Sequence, residues 1–272
     1  MLYQGDRLLP GAREFVWWLH SSGRKFLFLT NSSDRTPAEM VAKFHRLGLD
    51  FVHESHFLTS AMTTASFLFA EKGPGSRAYV IGERALRDAL TEKGILVVNE
   101  ASAEMSNPDF VVCGESSSAQ VYNFEKIANA IKFVRRGARL VGTNEDLADR
   151  VGAELHPGTG ALMLPIVAVS GVTPLFMGKP SPLTAFSALE RLGANRESTF
   201  MVGDRTSTDV LLGVQAQLTT VLVLSGVTSE ADIARYSFRP SLVLNGVGDI
   251  PAILGETVEV PDDTSSVVPS KL

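Results

Sequence analysis

Short apolar runs alternate along the chain with longer segments that place an apolar residue every three or four positions. This rhythm predicts an α/β protein with a mainly parallel sheet. Pro10 to Ser22 carries the stripe Phe15, Val16 and Leu19 between an opening proline and a closing Gly23, which predicts a helix. Thr36-Pro37-Ala38-Glu39 has capping-box spacing with proline at the first helical position, so a second helix runs from there to Gly48. Ser60 is expected to cap a third, through Phe69. Lys72-Gly73-Pro74-Gly75-Ser76 then concentrates turn residues and is the candidate linker.

Beyond it a fresh alternation begins, with strands expected at Ala78–Ile81, Phe110–Cys113 and Arg139–Gly142 and helices at Ala85–Lys93 and Phe124–Arg135. It ends near Gly171-Val172-Thr173-Pro174, after which the first rhythm resumes: strand to Met177, helix Ser181–Leu192, strand to Val202, helix to Ala216 and strand Thr220–Leu224. One α/β unit is therefore expected inside another: a Rossmann-like core over 1–76 and 175–256, an inserted α/β unit over 77–174, and a polar tail over 257–272.

Composition narrows the class without naming a function. The chain has 272 residues, 44% apolar and 20% charged, the profile of a globular protein. A net charge of −5 argues against an electrostatic nucleic-acid binder. No apolar stretch approaches the roughly 20 residues of a membrane-spanning helix, and no secretory signal follows Met1. The single Cys113 lies in an apolar run and reads as a buried structural thiol, which suits a reducing, cytoplasmic compartment. The five histidines show no ligand spacing; His53 and His56 are expected in a solvated loop.

The chemistry concentrates where apolar runs stop. Phe200-Met201-Val202 ends in Gly203-Asp204, and Asp209 follows five residues later. A buried strand would deliver Asp204 at its carboxyl end, where open α/β sheets place their ligands. Asp204 then either caps the next helix or, with Asp209, offers two carboxylates to a hard cation such as Mg2+. Leu27-Phe28-Leu29 ends in Thr30-Asn31-Ser32-Ser33, and Leu175-Phe176-Met177 in Gly178-Lys179-Pro180. If the three strands share one sheet, Thr30, Lys179 and Asp204 converge at its carboxyl edge. A hydroxyl, an ammonium and a metal-binding carboxylate make a phosphate site. Asn144-Glu145-Asp146 either faces a substrate or is an ordinary polar loop. His156-Pro157-Gly158-Thr159-Gly160 reads as a turn into a helix, since a nucleotide fingerprint needs a third glycine and a preceding strand.

The ordered set Leu-Thr-Asn-Ser-Ser, Gly-Lys-Pro-Ser-Pro and Val-Gly-Asp-Arg-x-x-Thr-Asp resembles the haloacid dehalogenase superfamily of phosphatases, within it the NagD branch. Leu224-Ser225-Gly226-Val227-Thr228 and Asn107-Pro108-Asp109-Phe110-Val111-Val112 resemble that branch too. The resemblance runs from Leu2 to about Ile253. It implies an Mg2+-dependent phosphatase of a small phosphorylated metabolite, such as a nucleoside monophosphate or a sugar phosphate. Thr30 would donate a hydrogen bond to the phosphoryl group with Asn31 beside it, and Lys179 would neutralise its charge. Asp204 would hold Mg2+, Asp209 would support that site or Lys179, and the loop Arg205 to Thr208 would line the phosphate pocket. The inserted unit would be a cap that selects the leaving group and through which relatives often dimerise.

One part of the pattern is not met. Family members open with a strand ending in Asp-x-Asp-Gly, whose first aspartate is the covalent nucleophile and whose second is the acid and base. Here Leu2-Tyr3-Gln4-Gly5-Asp6 matches the segment just downstream, and Asp6 has no carboxylate two residues away. The sequence as given is therefore expected to hydrolyse nothing at an appreciable rate and to leave a gap in the centre of its sheet, and its natural form is expected to start upstream. The alternative is a catalytically inactive relative that at most binds phosphorylated ligands.

Overall fold

The computed structural model describes residues 1–151 and 154–258; of the polar tail expected over 257–272, all but the first two residues lie outside them. The chain opens with a hairpin, β1 (Tyr3–Gln4) and β2 (Arg7–Leu8), and continues through α1 (Ala12–Ser21), β3 (Phe28–Thr30), α2 (Pro37–Arg46), β4 (Phe57–Thr59) and α3 (Ser60–Lys72). The α2 capping box forms as its spacing predicts: Thr36 Oγ1 accepts from the Glu39 amide at 3.2 Å, and Glu39 Oε2 accepts from the Thr36 amide at 2.7 Å. The cap of α3 is Thr59 rather than Ser60, its hydroxyl accepting from the Met62 amide at 3.3 Å.

Next come β5 (Arg77–Ile81), α4 (Arg84–Glu92), β6 (Leu96–Val98), α5 (Glu100–Met105), β7 (Phe110–Cys113), α6 (Phe124–Arg135), β8 (Arg139–Gly142), the hairpin β9 (Ala148–Val151) and β10 (Glu154–Pro157), and α7 (Thr159–Ser170). The last part is β11 (Leu175–Phe176), α8 (Pro182–Leu192), β12 (Phe200–Gly203), a π-turn at Thr206–Val210, α9 (Leu211–Gln215), β13 (Thr219–Val223), α10 (Glu230–Ile233), β14 (Leu242–Leu244) and α11 (Ile250–Ile253).

Apart from the two hairpins every strand pair is parallel, as helix-linked strands require. One sheet has five strands in the order β11-β8-β7-β5-β6. Its central strands are buried on both faces: Phe110, Val111, Val112 and Cys113 are all fully covered, which is why this run is continuously apolar rather than alternating. The Cys113 thiol is pushed up to about 12 by burial and is an inert packing group.

The rest of the parallel sheet comes in two pieces. One pairs β3 with β4, the other runs β12-β13-β14. Both β3 and β12 line a single cavity of about 730 Å3, walled by apolar side chains including Leu2, Phe15, Phe28, Met201, Val221 and Leu244. This cavity is a gap between β3 and β12, neither of which has a second strand partner among the described residues. The expectation that the strands before Thr30, Lys179 and Asp204 share one sheet does not hold. They lie in three sheets, and Leu175–Phe176 extends the five-stranded one by pairing with β8. Pairing partners are set by tertiary packing, which an apolar run alone does not encode.

Candidate active site

At the carboxyl end of the gap, Thr30, Lys179, Asp204 and Asp209 line the same cavity. Convergence survives the separate sheets because Lys179 reaches back across them. Its ammonium donates to the Leu29 carbonyl at 3.1 Å and to Asp209 Oδ1 at 2.7 Å. Both side chains of this ion pair are well buried, 14% and 7% exposed, so each needs the other to be tolerable there. Asp209 Oδ2 also accepts from the Arg205 amide at 3.1 Å. Its carboxylate is thus committed to holding Lys179 and the turn after β12.

Asp204 has the other part. Its Oδ2 accepts from the Val227 amide at 3.0 Å, and the Met1 ammonium lies 3.4 Å from its Oδ1. Two glycines make room for these carboxylates. A Cβ on Gly203 would sit 2.1 Å from the Asp209 Cβ, and one on Gly226 would sit 2.1 Å from Asp204 Oδ2. No other residue type allows so close an approach. Asp204 suits a cation such as Mg2+, which is ordinarily held by one or two carboxylates together with substrate phosphate and water. Among the described residues no group of three or more acidic, cysteine or histidine side chains could hold a metal by itself.

Thr30 ends β3, its hydroxyl accepting from the Ser32 amide at 3.1 Å. Asn31 does not line the cavity. Its Nδ2 donates to Asp146 Oδ2 at 2.8 Å and to the Lys179 carbonyl at 2.9 Å, while its Oδ1 is buried with no partner among the described residues. Arg205 does not line the cavity; its guanidinium lies 3.5 Å from Asp146 Oδ1 and its side chain is 42% exposed. Thr208 is buried inside the π-turn. Four of the seven predicted residues therefore share the cavity, and Asn31, Arg205 and Thr208 stand behind or beside it. Asp6 sits exposed in the β1–β2 turn. His56, expected in solvent, stacks on Phe26 with ring centroids 4.5 Å apart, and partial burial lowers its pKa.

Two residues matter more than the sequence indicated. Asn144, in the segment read as either facing a substrate or forming an ordinary polar loop, is fully buried and donates to the Asn31 carbonyl at 2.9 Å. Glu115 escaped notice although Val112-Cys113-Gly114-Glu115 repeats the signal that singled out Asp204, an apolar run ending in glycine and a carboxylate. It accepts from the Ser33 amide and from Asn144 Nδ2, both at 3.0 Å.

Two family models match the chain: haloacid dehalogenase-like hydrolase over residues 1–96 and HAD-hydrolase-like over residues 176–250. The ribonucleotide monophosphatase NagD of Escherichia coli K12 is 40% identical over 253 residues, covering 93% of this chain and 95% of the relative. This chain belongs to the NagD branch of the haloacid dehalogenase-like hydrolases. The dihydroxyacetone phosphatase of Corynebacterium glutamicum strain R is 39% identical over 92% of this chain and 87% of its own length. Among solved structures, NagD from E. coli K-12 superposes with a TM-score of 0.82 at 39% identity, over 92% of this chain and 94% of that one. The 4-nitrophenylphosphatase of Thermotoga maritima gives 0.83 at 32% identity over 92% of each. The Rossmann-like mixed α/β fold is that of the NagD structures, and the named relatives are phosphatases. No helix among the described residues is long and apolar enough to cross a membrane.

Proposed function

We propose that this chain carries the phosphate site of an Mg2+-dependent phosphomonoester hydrolase acting on a small phosphorylated metabolite. The observation that carries the reading is the buried Lys179–Asp209 pair on the wall of a cavity shared with Thr30 and Asp204. Lys179, held in place by Asp209 and the Leu29 carbonyl, neutralises charge on a phosphoryl oxygen. Thr30 donates its hydroxyl hydrogen to another. Asp204 is the residue that would hold Mg2+, which when bound supplies positive charge against the phosphate and its leaving oxygen. The NagD and dihydroxyacetone phosphatase relatives favour a nucleoside monophosphate or a sugar-like phosphate as substrate. The inserted unit with the five-stranded sheet would act as the cap, and Leu147, Leu155 and Leu164, all more than half exposed on it, support its use as a homodimer face.

The proposal includes a missing partner. Among the described residues the only carboxylates lining the cavity are Asp204 and Asp209, and Asp209 is occupied by Lys179 and the Arg205 amide. Asp209 is thus committed to that pair, and Asp204 is the residue that would hold the cation. Covalent turnover through an aspartyl-phosphate therefore requires a carboxylate delivered along the gap between β3 and β12. The test is Mg2+-dependent hydrolysis of para-nitrophenyl phosphate and nucleoside monophosphates by residues 1–272 and by the same chain with an apolar strand ending in Asp-x-Asp-Gly joined ahead of Met1. We expect background rates from the first and turnover from the second. Turnover by the first that is lost in Asp6→Asn, or a folded but inert second protein, would overturn the reading.

A further inference from the structure

Glu115 stands just beyond β7 of the five-stranded sheet, yet its side chain and backbone both close on the loop Thr30–Ser33 of the other part of the fold. Its Oε2 accepts from the Ser33 amide at 3.0 Å, and its own amide donates to Ser33 Oγ at 2.9 Å. Its Oε1 accepts from Asn144 Nδ2 at 3.0 Å, and that same amide group holds the Asn31 carbonyl. Thr143 donates to Ser33 Oγ at 3.1 Å. Ser33, Thr143 and Asn144 are all fully buried. The fit is close on the backbone side too, since a Cβ on Gly114 would lie 2.9 Å from Ser33 Oγ. A clasp of Glu115, Thr143 and Asn144 therefore grips the loop that carries Thr30 through Asn31 and Ser33, and none of the three lines the cavity.

We propose that Glu115 is a positioning residue that seats the Thr30–Ser33 loop for phosphate binding and makes this seating depend on proton uptake.

The chemistry of its surroundings gives the sign. The hydrogen-bond partners of the carboxylate are neutral N–H donors. The charged groups that act on it are Asp34 from the gripped loop and Asp149 from β9, both of its own sign. Burial, only partly offset by the Ser33 and Asn144 donors, pushes its pKa up to about 8. Asp149, itself raised by burial and by Asp146 and Asp34, with Arg205 and His156 pulling the other way, adds to the acidic side. When the clasp opens, Glu115 meets water and returns to an ordinary carboxylate pKa. The closed clasp thus binds a proton that the open one releases, so rising pH through neutrality favours opening. Low pH seats the loop; alkaline pH loosens it.

This inference rests on the phosphate-site reading for its ligand but not for its first readout. In the full chain, we expect the Ser33 backbone amide and the Asn144 side-chain amide to titrate by NMR with a midpoint near 8, and to be flat in Glu115→Gln. Sulfate, which keeps one charge state over this range, is the binding probe. Wild-type affinity should fall several-fold between pH 6.5 and 9, whereas Glu115→Gln should hold its pH 6.5 value throughout. Glu115→Ala separates seating from mere charge: a lost seat weakens sulfate at least tenfold at every pH, while a charge effect alone leaves it matching Glu115→Gln. Wild-type and Glu115→Gln profiles that coincide would overturn the proposal, as would an alanine variant that binds like the glutamine one. Amide titration without any sulfate binding would leave the clasp standing and remove the phosphate reading instead.

Discussion

In the five-stranded sheet, β5 and β7 each have a parallel neighbour on both sides, and Phe110 to Cys113 are completely covered. In the remainder, β3 pairs only with β4 and β12 only with β13 among the described residues, and the two line a cavity of about 730 Å3. The residues are of similar kind in both places, Phe-Val-Val-Cys against Phe-Met-Val-Gly. The difference is a neighbour. A parallel strand is stable when both faces and both edges are satisfied, and the same apolar side chains contribute less where one flank is open. The complete sheet carries only Lys179 of the proposed phosphate site, three residues past β11, and the divided part carries Thr30, Asp204 and Asp209.

The largest effect should come from closing the gap. An apolar strand joined ahead of Met1 would bury several large side chains, each worth about 1.5–3 kcal/mol, and on the order of 10 kcal/mol in sum. Without it, urea unfolding followed by tryptophan fluorescence (Trp17 and Trp18, in α1) should precede loss of amide protection in β5 and β7. With it, the two transitions should merge and move to higher denaturant. A single coincident transition in the chain as given would break the comparison.

Paired truncations sharpen it. Phe110→Ala empties a fully buried site in the complete sheet and should cost about 3–5 kcal/mol. Phe28→Ala removes a ring that already borders the cavity and should cost less than about 2 kcal/mol. Equal losses in denaturation midpoint would mean that the cavity is filled in solution.

Next is the ion pair that spans the divided part. Asp209→Asn leaves Lys179 buried against a neutral amide and should cost about 3 kcal/mol, the lower range for breaking a buried pair. Sulfate binding should weaken along with it, because Lys179 loses its anchor. Unchanged stability with lost binding would assign Asp209 to ligand contact alone.

Much of this was legible in the sequence. Thr30, Lys179 and Asp204 each follow an apolar run, and strand ends carry sites for a local reason: side chains there leave the buried zone while the backbone stays fixed. The α2 box was legible because Thr36 and Glu39 interact within one turn. What escaped was non-local. Leu175–Phe176 reads the same whether it joins β8 or another strand. Asn144 looks like a loop asparagine until Asn31 and Glu115 meet it from distant parts of the chain. Glu115 has the strand-Gly-carboxylate signal, but its partners Ser33 and Asn144 are distant in the chain, so nothing local marks it. His56 looked solvated because nothing in its own segment places Phe26 against it.

The smallest predicted effect lies at the opposite mouth of the gap. Glu256, just past α11, accepts from Trp18 Nε1 at 2.8 Å and from Arg24 Nη2 at 2.6 Å, joining the chain's last described turn to α1 and to the segment entering β3. The Arg24 pair is over a third exposed on both sides, where ion pairs are worth at most about 1 kcal/mol. The Trp18 bond involves a charged acceptor but sits at the cavity rim. Glu256→Gln keeps an acceptor for one of them and should lower stability by about 0.5–1 kcal/mol. It should also lose most of its salt sensitivity, since screening acts on the charge that glutamine lacks. The informative comparison is with the strand-filled protein. If Glu256 only ties α11 down, the cost is the same in both. If it closes the lower end of an open slot, the cost falls once a strand occupies the slot, because α1 and β3 are then held by their new neighbour.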